Sequence, residues 1–449
     1  MIDSKSSAEN PSSGMRFMNF KYTQLCDFIA LLFLFLASIF LDISTAGIEI
    51  CCYGAVLFFL IGGQYKKKYE FFRNSPFIII TLLLYAVILI WSVHSPAPWH
   101  DIKGDLSAYA KLFLIPVGLW AFQRHPKSIA PFLILLSSTL FFVFLICTLK
   151  VHDFLPSSLS MWLGGNQLTS LNFGKAVGAA HIALSYFAAV LAFSWAWIFF
   201  QKFSSFTLGQ KCGSFLLSAF SFYYLLFICD GRSGLPALVI PVLYLCVRYA
   251  LTSKKFKSSL AIVMIFLGAL ALSYHFSSRL DQSIHQGTSD LKEYQIGNDT
   301  TSWGTRLGFW KNAAHLIHIH PIMGHGTGSY PTLLNTPPLL STNPHQQYLF
   351  FWVENGLMGI LFFLAFLYIS GGYNTTISEI THPTKHSQTL KILLEGYVLA
   401  FAIGCLYNSW LHDVHEGFFF LLGVTGLYAG ANQKQFTSQP PIPPRKNSR

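Results

Sequence analysis

Residues 131–149, PFLILLSSTLFFVFLICTL, run for 19 positions without a charge. A helix of that length nearly covers the ~30 Å hydrocarbon core of a bilayer at about 1.5 Å per residue. Similar apolar blocks occupy 77–93, 182–200, 235–247 and 259–273. Of the 449 residues, 53% are apolar, 16% aromatic and only 11% charged, whereas an average soluble domain carries roughly a quarter charged residues. Length alone suggests about three soluble domains, but apolar residues arranged in blocks contradict that. A soluble enzyme, a disordered chain and a secreted disulfide scaffold are excluded, leaving an all-α polytopic membrane protein.

Working outward from this block, the sequence predicts about twelve spans, each of roughly 17–25 mainly apolar residues. They fall near 25–41, 44–63, 77–95, 107–122, 129–149, 181–201, 213–229, 234–251, 259–275, 346–370, 390–411 and 414–431. The segment 107–122 is the least regular, because it contains Lys111 and Pro116. With both termini inside, 21 of the 30 Lys and Arg residues fall on the inner side, as the positive-inside rule requires. The formal charge of +11 is thus an orientation signal, not a nucleic-acid footprint.

The organisation expected is a cytoplasmic segment 1–24, spans one to nine over 25–275, an outer loop subdomain at 276–344, spans ten to twelve over 345–431 and a disordered inner tail at 432–449. The first span reads as retained, with no small-residue cleavage site before the second. The eight cysteines (Cys26, Cys51, Cys52, Cys147, Cys212, Cys229, Cys246 and Cys405) form no outer disulfide framework and no C-x-x-C pair. They read as small apolar residues. Smaller outer features are the Gly/Asn-rich 150–180 loop and the turns at 230–234 and 412–416. The 276–344 stretch far exceeds an ordinary connection of about 15 residues or fewer, so it is functional or disordered. Its aromatic residues and a helical pattern at 305–319, with Leu307, Trp310, Ala314 and Ile317 on one face, predict an ordered unit resting on the bundle mouth.

Polar residues concentrate around that mouth. In Asn343-Pro344-His345-Gln346-Gln347-Tyr348, Asn343 suits an N-cap and Pro344 a first helical residue. That places His345 in the first turn of span ten, among unpaired amides and positioned to accept a proton. A rim histidine above an ordinary packed span is the alternative. Gly356 and Gly359, three apart, would let another helix approach. In Gly231-Arg232-Ser233-Gly234, Arg232 either snorkels to headgroups or grips phosphate oxygens bidentately, with flanking glycines that admit a ligand to the backbone. Arg306 lies in Thr305-Arg306-Leu307-Gly308-Phe309-Trp310, ahead of the Gly324-His325-Gly326-Thr327-Gly328 run. That run lacks the strand and acidic residue of a dinucleotide site; a tight turn is favoured over an anion nest. His315, His318 and His320, and His412 with His415, suggest metal binding, but neither set supplies a convincing third or fourth ligand. Glu354, about 13 Å along its helix from His345, is an ionisable group at membrane depth, suited to function or to hydrogen bonding within the bundle.

These residues resemble the O-antigen ligase/polymerase family of bacterial envelope glycosyltransferases. The family signature is His, then Asn, Ser or Gln, nine residues, then Gly-x-x-Gly, Thr or Tyr. It is met here by His345, Gln346, residues 347–355 and Gly356-Leu357-Met358-Gly359. Gln346 departs from the commoner Asn. The likeness extends to Arg232, Arg306 and the Gly324–Gly328 run and covers 220–430. It implies transfer of a glycan from undecaprenyl diphosphate to a sugar hydroxyl of lipid A–core, at the periplasmic face of the Gram-negative inner membrane. His345 would be the general base, or alternatively a diphosphate ligand, and Arg232 and Arg306 would bind the diphosphate. No metal, nucleotide or other cofactor is expected. The signature does not separate ligases from O-antigen polymerases or protein O-oligosaccharyltransferases. A twelve-span transporter is the broader rival, disfavoured because the two halves do not match and polar residues gather in one outer loop.

Overall fold

The computed structural model describes residues 11–158, 181–296, 300–334, 341–373 and 385–432. Most of the 150–180 loop, the start of the N-terminal segment and all but the first residue of the tail lie outside these. Described residues form helices and turns, with no strand among them.

The helices are α1 (Pro11–Phe40), α2 (Thr45–Ile61), α3 (Tyr65–Arg73), α4 (Pro76–Ser92), α5 (Trp99–Ala110), α6 (Leu114–Arg124) and α7 (Ile129–Val151). Then come α8 (His181–Lys202), α9 (Leu208–Tyr223), α10 (Gly234–Ser253), α11 (Phe256–Phe276), α12 (Ser278–Gln295), α13 (Ser302–Ile319), α14 (Tyr330–Leu333), α15 (Gln347–Ser370), α16 (Lys385–Gly404) and α17 (Val414–Ala431). Their starts follow local chemistry. Ser44 accepts from Gly47 N at the head of α2, Ser75 accepts from Ile78 N with Pro76 at the first position of α4, and Thr207 and Gln210 form a capping box on α9.

Among the described residues, eight helical segments are long and apolar enough to cross a membrane, nine if α2 and α3 count as one broken span. Every expected span has a helical counterpart, but length and composition qualify fewer than twelve. Pro76–Ser92 is apolar yet short. The second expected span stops at Ile61, and α3 leaves it at 112°, carrying Lys66 and Lys67 on its exposed face. The irregular fourth span is helical from Trp99 to Arg124 through a 3-10 turn at Lys111–Phe113. Lys111 is tolerated there because its buried Nζ donates to His412 O (3.0 Å) and Asp413 O (2.6 Å). The eleventh span ends at Gly404, not 411. Residues 405–413 form a polar turn, and Trp410 folds back, fully buried, to stack 4.1 Å from Tyr186.

The hub is α17, buried continuously from Glu416 to Gly430 and packed on α6, α7, α8 and α16. Its small residues permit this: Gly423 sits under the Tyr397 ring and Gly426 against Leu133. By contrast α11 is largely exposed, as a lipid-facing helix would be. Seven of the eight cysteines are buried thiols and Cys212 is exposed. Several charges inside the bundle are paired, although the carboxylate oxygens of the buried Asp42 have no hydrogen-bond partner among the described residues. Arg248 forks onto Glu395 (2.9 and 3.0 Å), whose Oε2 also accepts from Tyr244 (2.7 Å), and Asp27 takes Trp120 (2.9 Å) and Arg124 (3.3 Å).

Removing one partner of a buried pair strands the other charge, so Arg248→Met should destabilise the protein by ~3 kcal/mol. The double change Arg248→Met/Glu395→Leu should recover most of that loss. Thermal unfolding in detergent measures both.

Candidate active site

Span ten is the pillar of the site. Its helix begins two to three residues later than the sequence pattern suggests. Gln346, not Asn343, is the N-cap and accepts from Leu349 N (2.8 Å). Asn343 instead makes a local turn, its Oδ1 accepting from His345 N (2.9 Å) and from Ser409 Oγ (3.0 Å). His345 therefore stands just outside the helix in a left-handed conformation, φ 49°, which a non-glycine residue holds only when its surroundings enforce it. Its Nδ1 lies 2.9 Å from Asn408 Oδ1, and its ring faces Phe309 at 5.8 Å. The 405–412 turn that carries Asn408 is clamped by Gln347, whose Oε1 accepts from Leu411 N and His412 N while its Nε2 donates to Tyr109 OH.

Further along α15, Gly356 takes φ 61°, ψ −157° and breaks the helix. The expected helix–helix approach does not occur at Gly356. A Cβ there would come within 2.1 Å of Ile322 O, because the 322–328 run threads into the break. His325 N donates to Val353 O (2.8 Å), Gly326 N to Glu354 O (2.8 Å), and Leu357 N to Ile322 O (3.0 Å). Gly324, Gly326 and Gly328 all have positive φ (67°, 98° and 78°), which glycine alone adopts without strain. Amides at 325 and 326 are therefore spent on helix carbonyls, so the run is a docking turn and not an anion nest. Glu354 belongs to the same joint: buried, it accepts from Tyr330 N (3.2 Å). Thr327 Oγ1 donates to Ile88 O (2.7 Å) and accepts from Asn355 Nδ2 (2.9 Å).

From this anchor α13 leans on α15. Its buried face is Phe309 and Ala313, packed with Tyr330, Leu334, Phe350 and Val353. The expected face is thus shifted: Leu307, Trp310 and Ile317 are half-buried and Ala314 is exposed, because the phase is set by the Phe350 and Val353 side of span ten. Arg306 lies one turn before Phe309. It is half-buried and has no hydrogen-bond or ion-pair partner among the described residues. Burial, together with the like charge of Arg232, pushes its guanidinium below the ordinary arginine range, and Asp290 partly opposes this.

Arg232 reaches the same region from another element. Span seven ends in a π turn, Tyr224–Ile228. Its free carbonyls are capped from the start of α12, Leu226 O by Ser277 Oγ and Ile228 O by Arg279 (2.6 Å). Arg279 also pairs with Asp230. Arg232 donates to Asp290 on α12 at 3.2 Å. The flanking glycines admit a protein element, not a ligand: a Cβ on Gly231 would meet His181 O at 2.3 Å, and one on Gly234 would meet Ser185 O at 2.4 Å.

The structure thus joins Arg232 to Arg306 electrostatically, and Arg306 to His345 through Phe309. Asn408, Gln347 and Asp290 had no signal in the sequence, since each matters only through long-range contact. The histidine sets part company: His315, His318 and His320 are exposed, His412 pairs with Asp105 (3.0 Å) and His415 turns to Leu41 O (2.9 Å). Among the described residues no three possible ligands converge on a metal position.

Residues 215–364 match the family model described as O-antigen ligase. The match supports membership of the O-antigen ligase family for that stretch of the chain. The matched stretch contains Arg232, Arg306, His345 and Gly356, and so the whole helix-break joint. An uncharacterized protein of Haemophilus influenzae is 32% identical over 146 residues, 29% of this chain and 35% of that protein. The likeness thus spans about a third of the relative's length. The match supports a membrane protein of O-antigen ligase or polymerase type.

If the joint holds the loop, Gly356→Ala should detach it. The added Cβ meets a carbonyl in a backbone conformation unsuited to alanine, a cost of more than ~2 kcal/mol. The expected readout is faster proteolysis within 320–330 and a lowered melting temperature, while the variant still inserts in membranes.

Proposed function

We propose that the protein is an O-antigen ligase, transferring a glycan from undecaprenyl diphosphate to a sugar hydroxyl of lipid A–core. In this reading the 276–344 segment faces the periplasm and both termini face the cytoplasm of a Gram-negative cell. The supporting observation is the pair of arginines: Arg306, half-buried and without a partner among the described residues, beside Arg232 of the same sign. Two guanidiniums held together cost energy unless an anion joins them, and their planar forks suit phosphate oxygens. A diphosphate leaving group gains negative charge as the anomeric bond breaks, so the pair stabilises the transition state more than the ground state.

His345 supplies the other half. With Nδ1–H donating to Asn408 Oδ1, Nε2 keeps its lone pair and can take the proton of the acceptor hydroxyl. The acceptor oxygen bonds to the anomeric carbon as the carbon–oxygen bond to phosphate breaks, with inversion at that carbon. The donor is already activated, so the step calls for neither nucleotide nor metal.

His345→Ala and Arg306→Ala should reduce transfer at least ~10³-fold while leaving insertion intact, on the scale of losing a general base or a charge stabiliser. Transfer should persist in EDTA. A deletion strain distinguishes acceptors. Loss of the lipopolysaccharide ladder with long lipid-linked polymer accumulating supports the ligase. Lipopolysaccharide capped by a single repeat indicates a polymerase, and an unchanged profile overturns the reading.

A further inference from the structure

The arginine pair carries its own anion. Asp290 lies on α12, near the end that leads toward α13, with its side chain 16% exposed and its Oδ2 3.2 Å from Arg232 Nη1. Arg306 is affected by both, repelled by Arg232 and attracted by Asp290. One carboxylate therefore pairs with Arg232 and attracts Arg306 without contacting it, leaving a net positive charge where a diphosphate would sit. The Arg232 side chain is 35% exposed, so it is free to exchange one oxyanion for another. Asp230, another acidic group at this mouth, is occupied by Arg279.

Charge balance gives Asp290 a direction of action. When the anomeric carbon–oxygen bond breaks, its electron pair stays on the phosphate oxygen, and the acceptor's proton goes to His345. Undecaprenyl diphosphate thus leaves with one more negative charge than the donor brought. A fixed carboxylate beside the site repels the product more than the donor. Without it, two guanidiniums would hold the product more tightly than the donor, and release would limit turnover.

We propose that Asp290 is the resident counter-ion of the diphosphate site, holding Arg232 while the site is empty, yielding it to the donor and expelling the more highly charged leaving diphosphate. This rests on the ligase reading above. For a partly exposed site at about 6 Å, one extra unit charge changes affinity on the order of tenfold.

The test uses the full chain purified in detergent, with undecaprenyl diphosphate as the binding probe and the donor-to-acceptor reaction followed in single and multiple turnover. Asp290→Asn, and Asp290→Ser as a second removal of the charge, should each bind undecaprenyl diphosphate about tenfold more tightly. The first turnover should be as fast as wild type or faster, later turnovers should slow, and added undecaprenyl diphosphate should inhibit more strongly. In an Arg232→Ala background the gain from Asp290→Asn should shrink, because part of it passes through Arg232. Equal or weaker binding with a slower first turnover would overturn the proposal and make Asp290 a group that merely orients Arg232. A wild-type protein that transfers normally while Asp290→Asn binds no tighter sinks this inference alone. A wild-type protein that neither binds undecaprenyl diphosphate nor loses anything on Arg306→Ala sinks the ligase reading with it.

Discussion

The outer half of the molecule depends on one broken helix. At Gly356 the backbone of α15 leaves helical geometry, and the carbonyls of Val353 and Glu354 turn to an outside partner. In a membrane an unpaired backbone carbonyl costs several kcal/mol, so such a break survives only where protein fills it. The filling is the 322–328 run, whose amides at His325 and Gly326 take those two carbonyls while Leu357 N closes the joint onto Ile322 O. Neither half is stable alone. Gly324 is pressed against the break itself, whereas Gly326 and Gly328 let the same run pass Ser95 and the Asp101–Ile102 backbone.

A second constraint is electrostatic. Most charges inside the bundle are matched within it: Arg248 by Glu395, Arg124 by Asp27, Lys111 by two carbonyls. The mouth differs: Arg306 feels the like charge of Arg232, and among the described residues it is Asp290 that pairs with Arg232. A positive surplus beside a polar turn is the kind of preorganised field that the proposed transfer calls for.

How much of this could be read from the chain follows from the range of the forces involved. Apolar blocks such as 131–149 are local, and the helices they specify lie where the sequence places them. Arg232, Arg306 and His345 stand out because charged groups at a membrane rim are uncommon. The helix start at 343–345 misled because Asn-Pro is a strong local signal, overridden by tertiary contact: Asn343 is claimed by Ser409, 66 positions away. Gly356 and Gly359 were visible as close-approach residues, but what approaches Gly356 is a loop from earlier in the chain, which pattern alone cannot name. Asn408 and Asp290 were invisible because nothing about an isolated Asn or Asp marks it as the partner of a particular histidine or arginine.

The spacing of the signature now has a mechanical meaning. Eleven positions separate His345 from Gly356, and α15 turns that separation into a rod of about 16 Å at 1.5 Å per residue. One end of the rod presents the imidazole, and the other receives the loop. Between them α13 is pinned twice: at its C-terminal side by the docked 322–328 run, and at its middle by Phe309 and Ala313 against Phe350 and Val353. Since Arg306 is one turn from Phe309, its position relative to His345 is set by the rod's length and by the depth at which the loop docks. A helix longer or shorter by one residue would rotate the break by about 100° away from the loop, and His345 and Arg306 would lose their common frame. The distance from His345 to Gly356 is therefore a structural requirement of a joint divided between α15 and the segment packed on it.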